Sequence, residues 1–110
     1  MKIIVTGSTE WVDKETFGQA MTWVSNMKEG IPTVRLVPDR GASALAKRMA
    51  DHFKWPVEEF QTAQELVEAG GDLVVAFPLP GCMDTWDCLR RANDAGLNIH
   101  IVNRGWTYAH

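Results

Sequence analysis

The chain has no run of lysine or arginine longer than the pairs Lys47-Arg48 and Arg90-Arg91, and its formal net charge is −3. Nonspecific nucleic-acid binding and anionic-membrane binding both want a basic face, so no nucleic-acid or membrane partner is expected. No apolar stretch approaches the roughly 20 residues that span a bilayer. Cysteine is scarce: Cys82 and Cys88 fit neither C-x-x-C redox spacing nor zinc-ligand spacing. Two reduced thiols and no metal are expected, with Cys82, just ahead of a helix start, the one whose pKa that position would lower. His52, His100 and His110 show no ligand or triad spacing, and there is no Ser-His-Asp set, no HExxH and no clear carboxylate pair. The residues therefore argue for no catalytic group and no cofactor. The opening MKIIVTG holds one lysine and a short apolar run before a turn, which is not a signal peptide, so a cytoplasmic protein is expected. Repeats, linkers and low-complexity tracts are also missing, leaving one domain over residues 1–110 with a polar, aromatic tail at 103–110.

What is present is a regular alternation. Apolar runs at 2–6, 33–37, 57–60, 72–77 and 98–102 read as strands. Between them, Phe17, Met21, Val24 and Met27 recur at helical spacing after a capping Asp13, in a helix reaching about residue 28. A second helix over 42–53 carries the stripe Leu45, Met49, Phe53, with Ala42, Ala46 and Ala50 beside it. Thr62 to Glu65 forms a capping box for a short third helix. The fourth opens at Asp84-Thr85 and ends near Ala95, with Gly96 following. Its inward stripe is Cys88, Leu89, Ala92 and Ala95. This βαβαβαβαβ order predicts an α/β fold: a Rossmann-like three-layer sandwich with a five-stranded parallel sheet in the order 3-2-1-4-5 and about four helices. In that order the sheet reverses between strands one and four, and the loops carrying Gly7 and Gly81 stand at the reversal, where such sheets bind ligands.

VTGSTEW after strand one, RGASALA leading into helix two, and DLVVAFPLPGCMDTWDCLRRANDAGLNIHIV through strand five together resemble the SLOG superfamily. These are Rossmann-like domains related to the LOG phosphoribohydrolases and DprA, and the likeness is to the small YspA-like branch, often found in phage genomes. The resemblance covers most of the chain and implies a pocket for a nucleotide or a nucleotide-derived molecule such as ADP-ribose. It also marks departures. Val37-Pro38 and Ser43 replace a Gly-Gly pair and an Asp, Asp84-Thr85 replaces Gly-Thr, and Cys88 stands where LOG-type enzymes place a glutamate. A segment between helices two and three that usually bears a Gly-rich Arg-Asn motif is missing. Efficient catalysis is therefore not expected.

The expected ligand site comprises Gly7, Ser8, Thr9, Trp11, Arg40, Gly41, Pro80, Gly81 and Thr85. Gly7-Ser8 either cradles a phosphate on its backbone N–H groups or is a plain turn in which Gly relaxes the backbone and Ser caps. Thr85 either meets a ligand oxygen at the positive end of helix four or, with Asp84, caps it. A capping Asp84 would occupy the place of a phosphate, and two full negative charges at about 4 Å repel by roughly 4 kcal/mol at an effective dielectric of 20. With Glu10 and Asp39 on the same rim and only Arg40 opposing, a ribose diol, a base edge, a cation or a protein suits the rim better than a polyphosphate. Asp87 and Arg90, at i and i+3, read as a surface ion pair. Five tryptophans are many for this length. Trp11 and Trp86 stand where they would stack a base or anchor a partner, and Trp86, Trp106 and Tyr108 are the candidate interface for a second subunit or a host protein. The leading expectation is a small nucleotide-derived-ligand binder, with a ligand-free interaction protein as the alternative.

Overall fold

The computed structural model describes residues 1–11, 13–26, 30–79 and 83–102. Pro80, Gly81, Cys82, Met27, Trp106 and Tyr108 lie outside the described residues. The elements are β1 (Lys2–Gly7), α1 (Lys14–Ser25), β2 (Thr33–Leu36), α2 (Ala42–Phe53), β3 (Val57–Glu59), α3 (Ala63–Ala69), β4 (Leu73–Phe77), α4 (Met83–Asp94) and β5 (Ile99–Ile101). The five strands form one parallel sheet in the order β3-β2-β1-β4-β5. The expected α/β architecture is the one observed.

Strand alternation decides which helices go where. Ile3 and Val5 of β1, Val34 and Leu36 of β2, and Val75 and Phe77 of β4 share one core with Phe17 and Met21 of α1 and Ala46 of α2. The intervening Ile4, Val74 and Ala76 share a second core with Leu66 of α3 and Cys88 and Leu89 of α4. Both faces of β1 and β4 are thus covered, and each Ile or Val buried there contributes about 1.5–3 kcal/mol. The residue between Val34 and Leu36 breaks the apolar rule. Arg35 is buried on the second face, where its guanidinium donates to Glu58 at 2.7 Å and to the carbonyls of Ala69 and Gly70 at 2.7 and 2.8 Å. Those carbonyls end α3, so Arg35 moors the C-terminus of the shortest helix to the sheet.

Three local expectations need correction. In α2 the buried side chains are Ala42, Ser43, Ala46 and Ala50, whereas Leu45 and Met49 are partly buried and Phe53 is exposed. Both rows repeat every four residues, and the sheet beneath is already filled by Val34 and Leu36, so the small row faces inward. The helix α4 begins at Met83, which puts Asp84 and Thr85 inside its first turn rather than at the cap. Ala95 lies beyond that helix and is exposed. Elsewhere the caps follow the sequence: Asp13 accepts from Thr16 N at 3.0 Å, Thr62 Oγ1 accepts from Glu65 N at 3.1 Å, and Gly96 takes φ 77° after α4.

Two glycines press the first loop onto α2. A Cβ on Gly7 would lie 2.6 Å from the Ala42 Cβ and 2.9 Å from the Phe77 carbonyl oxygen. Gly41 has φ 70°, and a Cβ there would collide with the Ser8 carbonyl oxygen and the Thr9 backbone.

Candidate functional site

The tips of β1 and β2 and the N-terminal ends of α2, α3 and α4 surround a recess of about 260 Å³. Parallel strands all point their C-terminal ends this way, so the helices that follow them begin here, each with a partial positive charge at its N-terminus. Thr6 and Gly7 come from β1, Ser43 from α2, Thr62 from the cap of α3, and Thr85 and Cys88 from α4. Val37 and Leu66 supply apolar wall. Among the described residues three carboxylates, Asp39, Asp84 and Asp87, reach the lining, and no lysine or arginine does.

The carboxylates are not equivalent. Asp87 sits at i, i+3 and i, i+4 from two arginines and accepts from Arg90 at 2.6 Å and Arg91 at 3.0 Å. Hydrogen bonds from Arg91 and then Arg90 hold its carboxyl below the usual aspartate range, so it is ionised and its charge is answered from outside the recess. The ion-pair reading of Asp87 is the observed one, and the same residue also edges the recess. Asp39 Oδ1 accepts from the Arg40 backbone N–H at 2.8 Å. Cys88 is buried, and that burial pushes its thiol up, with the Thr6 hydroxyl pulling it back by less. A neutral, enclosed thiol is a poor nucleophile.

The sequence-predicted residues divide into groups. Gly7 and Thr85 meet in the recess, Thr85 with only 2% of its surface exposed. Ser8 is buried, and its groups are used within the fold. Its N–H donates to Phe77 O at 2.9 Å, its Oγ accepts from Glu10 N at 3.0 Å, and its carbonyl accepts from Trp11 N and Ala42 N at 3.2 Å each. A phosphate cradle on Gly7-Ser8 would need those groups to face outward, so the turn reading describes this loop. Trp11 does not stand at the mouth. It is 2% exposed, packs edge-on to Phe77 at 5.3 Å, and donates from Nε1 to Asp13 O at 3.0 Å. Thr9, Arg40 and Gly41 lie in the adjoining loops without lining the recess. Pro80 and Gly81 are outside the described residues. Trp86 is 46% exposed on the outer side of α4, one turn from Met83 at 75%.

Sequence reasoning passed over Thr6, Gln61 and Thr62 as site residues. Thr62 was legible as a cap, but its place in the recess depends on α3 starting beside the tip of β1, which no local pattern encodes. Ser43 carried a signal, since it occupies a position where the resemblance expects Asp.

No family model and no solved structure matches the chain. It is similar to the Gene 61 protein of Mycobacterium phage D29, 28% identical over 126 residues that take in 94% of this chain and 96% of that protein. Among the described residues no helix is long and apolar enough to cross a membrane, and no group of three or more His, Cys, Asp or Glu is placed to hold a metal ion.

Proposed function

We propose that the protein is a small SLOG-like, phage-type binding protein whose recess takes an uncharged nucleoside, or the ribose and base of a nucleotide-derived molecule, without turning it over. The observation that carries this reading is the lining: the carboxylates of Asp39 and Asp84 beside the Ser43 hydroxyl, with no lysine or arginine among the described lining residues. Carboxylates accept hydrogen bonds from a ribose diol, as the acid of a dinucleotide-binding fold does. The Ser43 hydroxyl serves a base edge as donor or acceptor, and Val37 offers apolar surface to a ring. A phosphate would meet Asp84 in the first turn of α4, where an anion would otherwise be welcome. At about 260 Å³ the recess falls below the roughly 300–1,000 Å³ of ordinary ligand pockets, which fits part of a dinucleotide and not the whole. The neutral Cys88 thiol at the position of the LOG-type glutamate favours binding over hydrolysis.

Thermal-shift and calorimetric titration with adenosine, ribose, AMP, ADP-ribose and NAD test the reading. Adenosine at 100-fold over its Kd should stabilise by about 2.7 kcal/mol, a rise in Tm on the order of 10 °C. AMP and ADP-ribose should shift Tm less. Asp84→Asn should narrow that gap by removing the repelling charge. Flat curves across the panel would sink the proposal, and release of free base from any member would make the protein a hydrolase. The alternative, an interaction protein that has lost its ligand, is favoured by the exposed Met83 and Trp86 beside the recess. Flat curves with a partner sensitive to Trp86→Ala would select it.

A further inference from the structure

Away from the sheet edge that holds the recess, α1 and α2 leave a groove of about 330 Å³ between them. Its floor is apolar, made by Phe17 of α1 and by Leu45 and Met49 of α2, the row that the sheet does not use. Phe53 closes one end. It is 52% exposed yet held in place, stacked on Trp55 at 5.1 Å and 20° and met edge-on by His52 at 4.8 Å. The left-handed Lys54, at φ 60°, turns the chain so that these rings meet. The rim is basic: Lys14 and Arg48 line the groove beside His52, and among the described residues no carboxylate does. Among the described residues neither Lys14 nor Arg48 is in an ion pair.

Gly18 completes the picture. It stands in the interior of α1 and lines the groove, and a Cβ added there meets nothing within 4 Å. Packing does not demand glycine, and glycine inside a helix is less stable than alanine by about 0.8–1 kcal/mol. What its absent side chain provides is depth in the groove.

We propose that this groove is a docking site for an acidic segment of a partner protein that presents apolar side chains on one helical face. The rigid Phe53 ledge and the Met49 surface would receive those side chains, while carboxylates flanking them would meet Lys14 and Arg48. The rim charge decides against a second copy seated groove to groove, because that pairing would set two rims carrying Lys14 and Arg48 against each other. The proposal is independent of the recess and of its ligand.

Fluorescence anisotropy on the full chain tests it with two labelled helical peptides. Both carry Leu and Phe at i and i+4; one is flanked by glutamates, the other by lysines. The acidic peptide should bind at least tenfold more tightly, weakening as salt rises. Gly18→Leu should abolish binding while leaving Tm unchanged or raised, which separates a filled groove from a damaged fold. Lys14→Glu with Arg48→Glu should reverse the charge preference. Equal binding of both peptides, or acidic-peptide binding that survives Gly18→Leu, would overturn the proposal, as would a concentration-dependent dimer by sedimentation that Gly18→Leu dissolves.

Discussion

The two recesses are near opposites although they share a wall. The helix α2 contributes Ser43 from its first turn to one and Leu45 and Met49 from its outer row to the other. Among the described residues, the recess at the sheet edge is lined by carboxylates and hydroxyls without a lysine or arginine, and the groove between α1 and α2 is apolar and rimmed by Lys14 and Arg48 without a carboxylate. A net charge of −3 describes neither. The contrast follows from position. Strand tips and helix N-termini gather backbone N–H groups, which tolerate acids nearby, whereas a groove between helix flanks has only side chains to set its polarity. Whole-chain charge excludes some partners for the average surface and leaves each site to be read from its own lining.

The comparison breaks most completely where the shared wall is moved. Gly7→Ala places a Cβ 2.6 Å from that of Ala42 and 2.9 Å from the Phe77 carbonyl oxygen, so α2 must shift. We expect a loss of about 2–4 kcal/mol in urea unfolding. Ligand and peptide binding should weaken together, and an effect confined to one site would show that α2 does not couple to both. A smaller change separates the two faces. Arg35→Met leaves the Ala69 and Gly70 carbonyls without their donor and Glu58 without its cation, at a cost of about 1–3 kcal/mol. Because Arg35 ties down α3 and β3 and bonds to neither α1 nor α2, recess ligands should bind less well and groove peptides as before.

The smallest effect is in pH. Asp87 and Glu58 are both held below their ordinary values, Asp87 by Arg91 and Arg90 and Glu58 by Arg35. A depressed carboxyl lends stability that is present above its unfolded value, near pH 4, and lost as pH falls through its folded value. Tm should therefore fall on acidification below about pH 4. Asp87→Asn should flatten part of that slope and leave Tm at pH 7 nearly unchanged, since both partners are exposed. A Tm that holds steady down to pH 2 would contradict the assignment.

Much of the fold could be read from residue patterns, because both period-2 burial in Ile3-Ile4-Val5 and the caps at Asp13 and Thr62 are local. The misses have a common origin. The two rows of α2 have identical spacing, and only the volume of Val34 and Leu36 beneath the helix selects the alanines. Trp11 reads as a ligand-site ring because it follows the first loop, yet its ring turns inward and its Nε1 donates to the Asp13 carbonyl two residues on. The site was half legible. Gly7 and Thr85 stand at strand and helix ends that topology alone brings together, whereas Ser43 and Thr62 join them only once β2 and α3 have packed.

The attachment of α3 has a consequence for the order in which the fold opens. Seven residues are too few for a helix to hold by itself, and this one persists through Leu66 and Val67, the Thr62 cap and the guanidinium beneath its last turn. It is accordingly the helix expected to open first in native-state amide exchange, and from its N-terminal end, since Arg35 tethers the other.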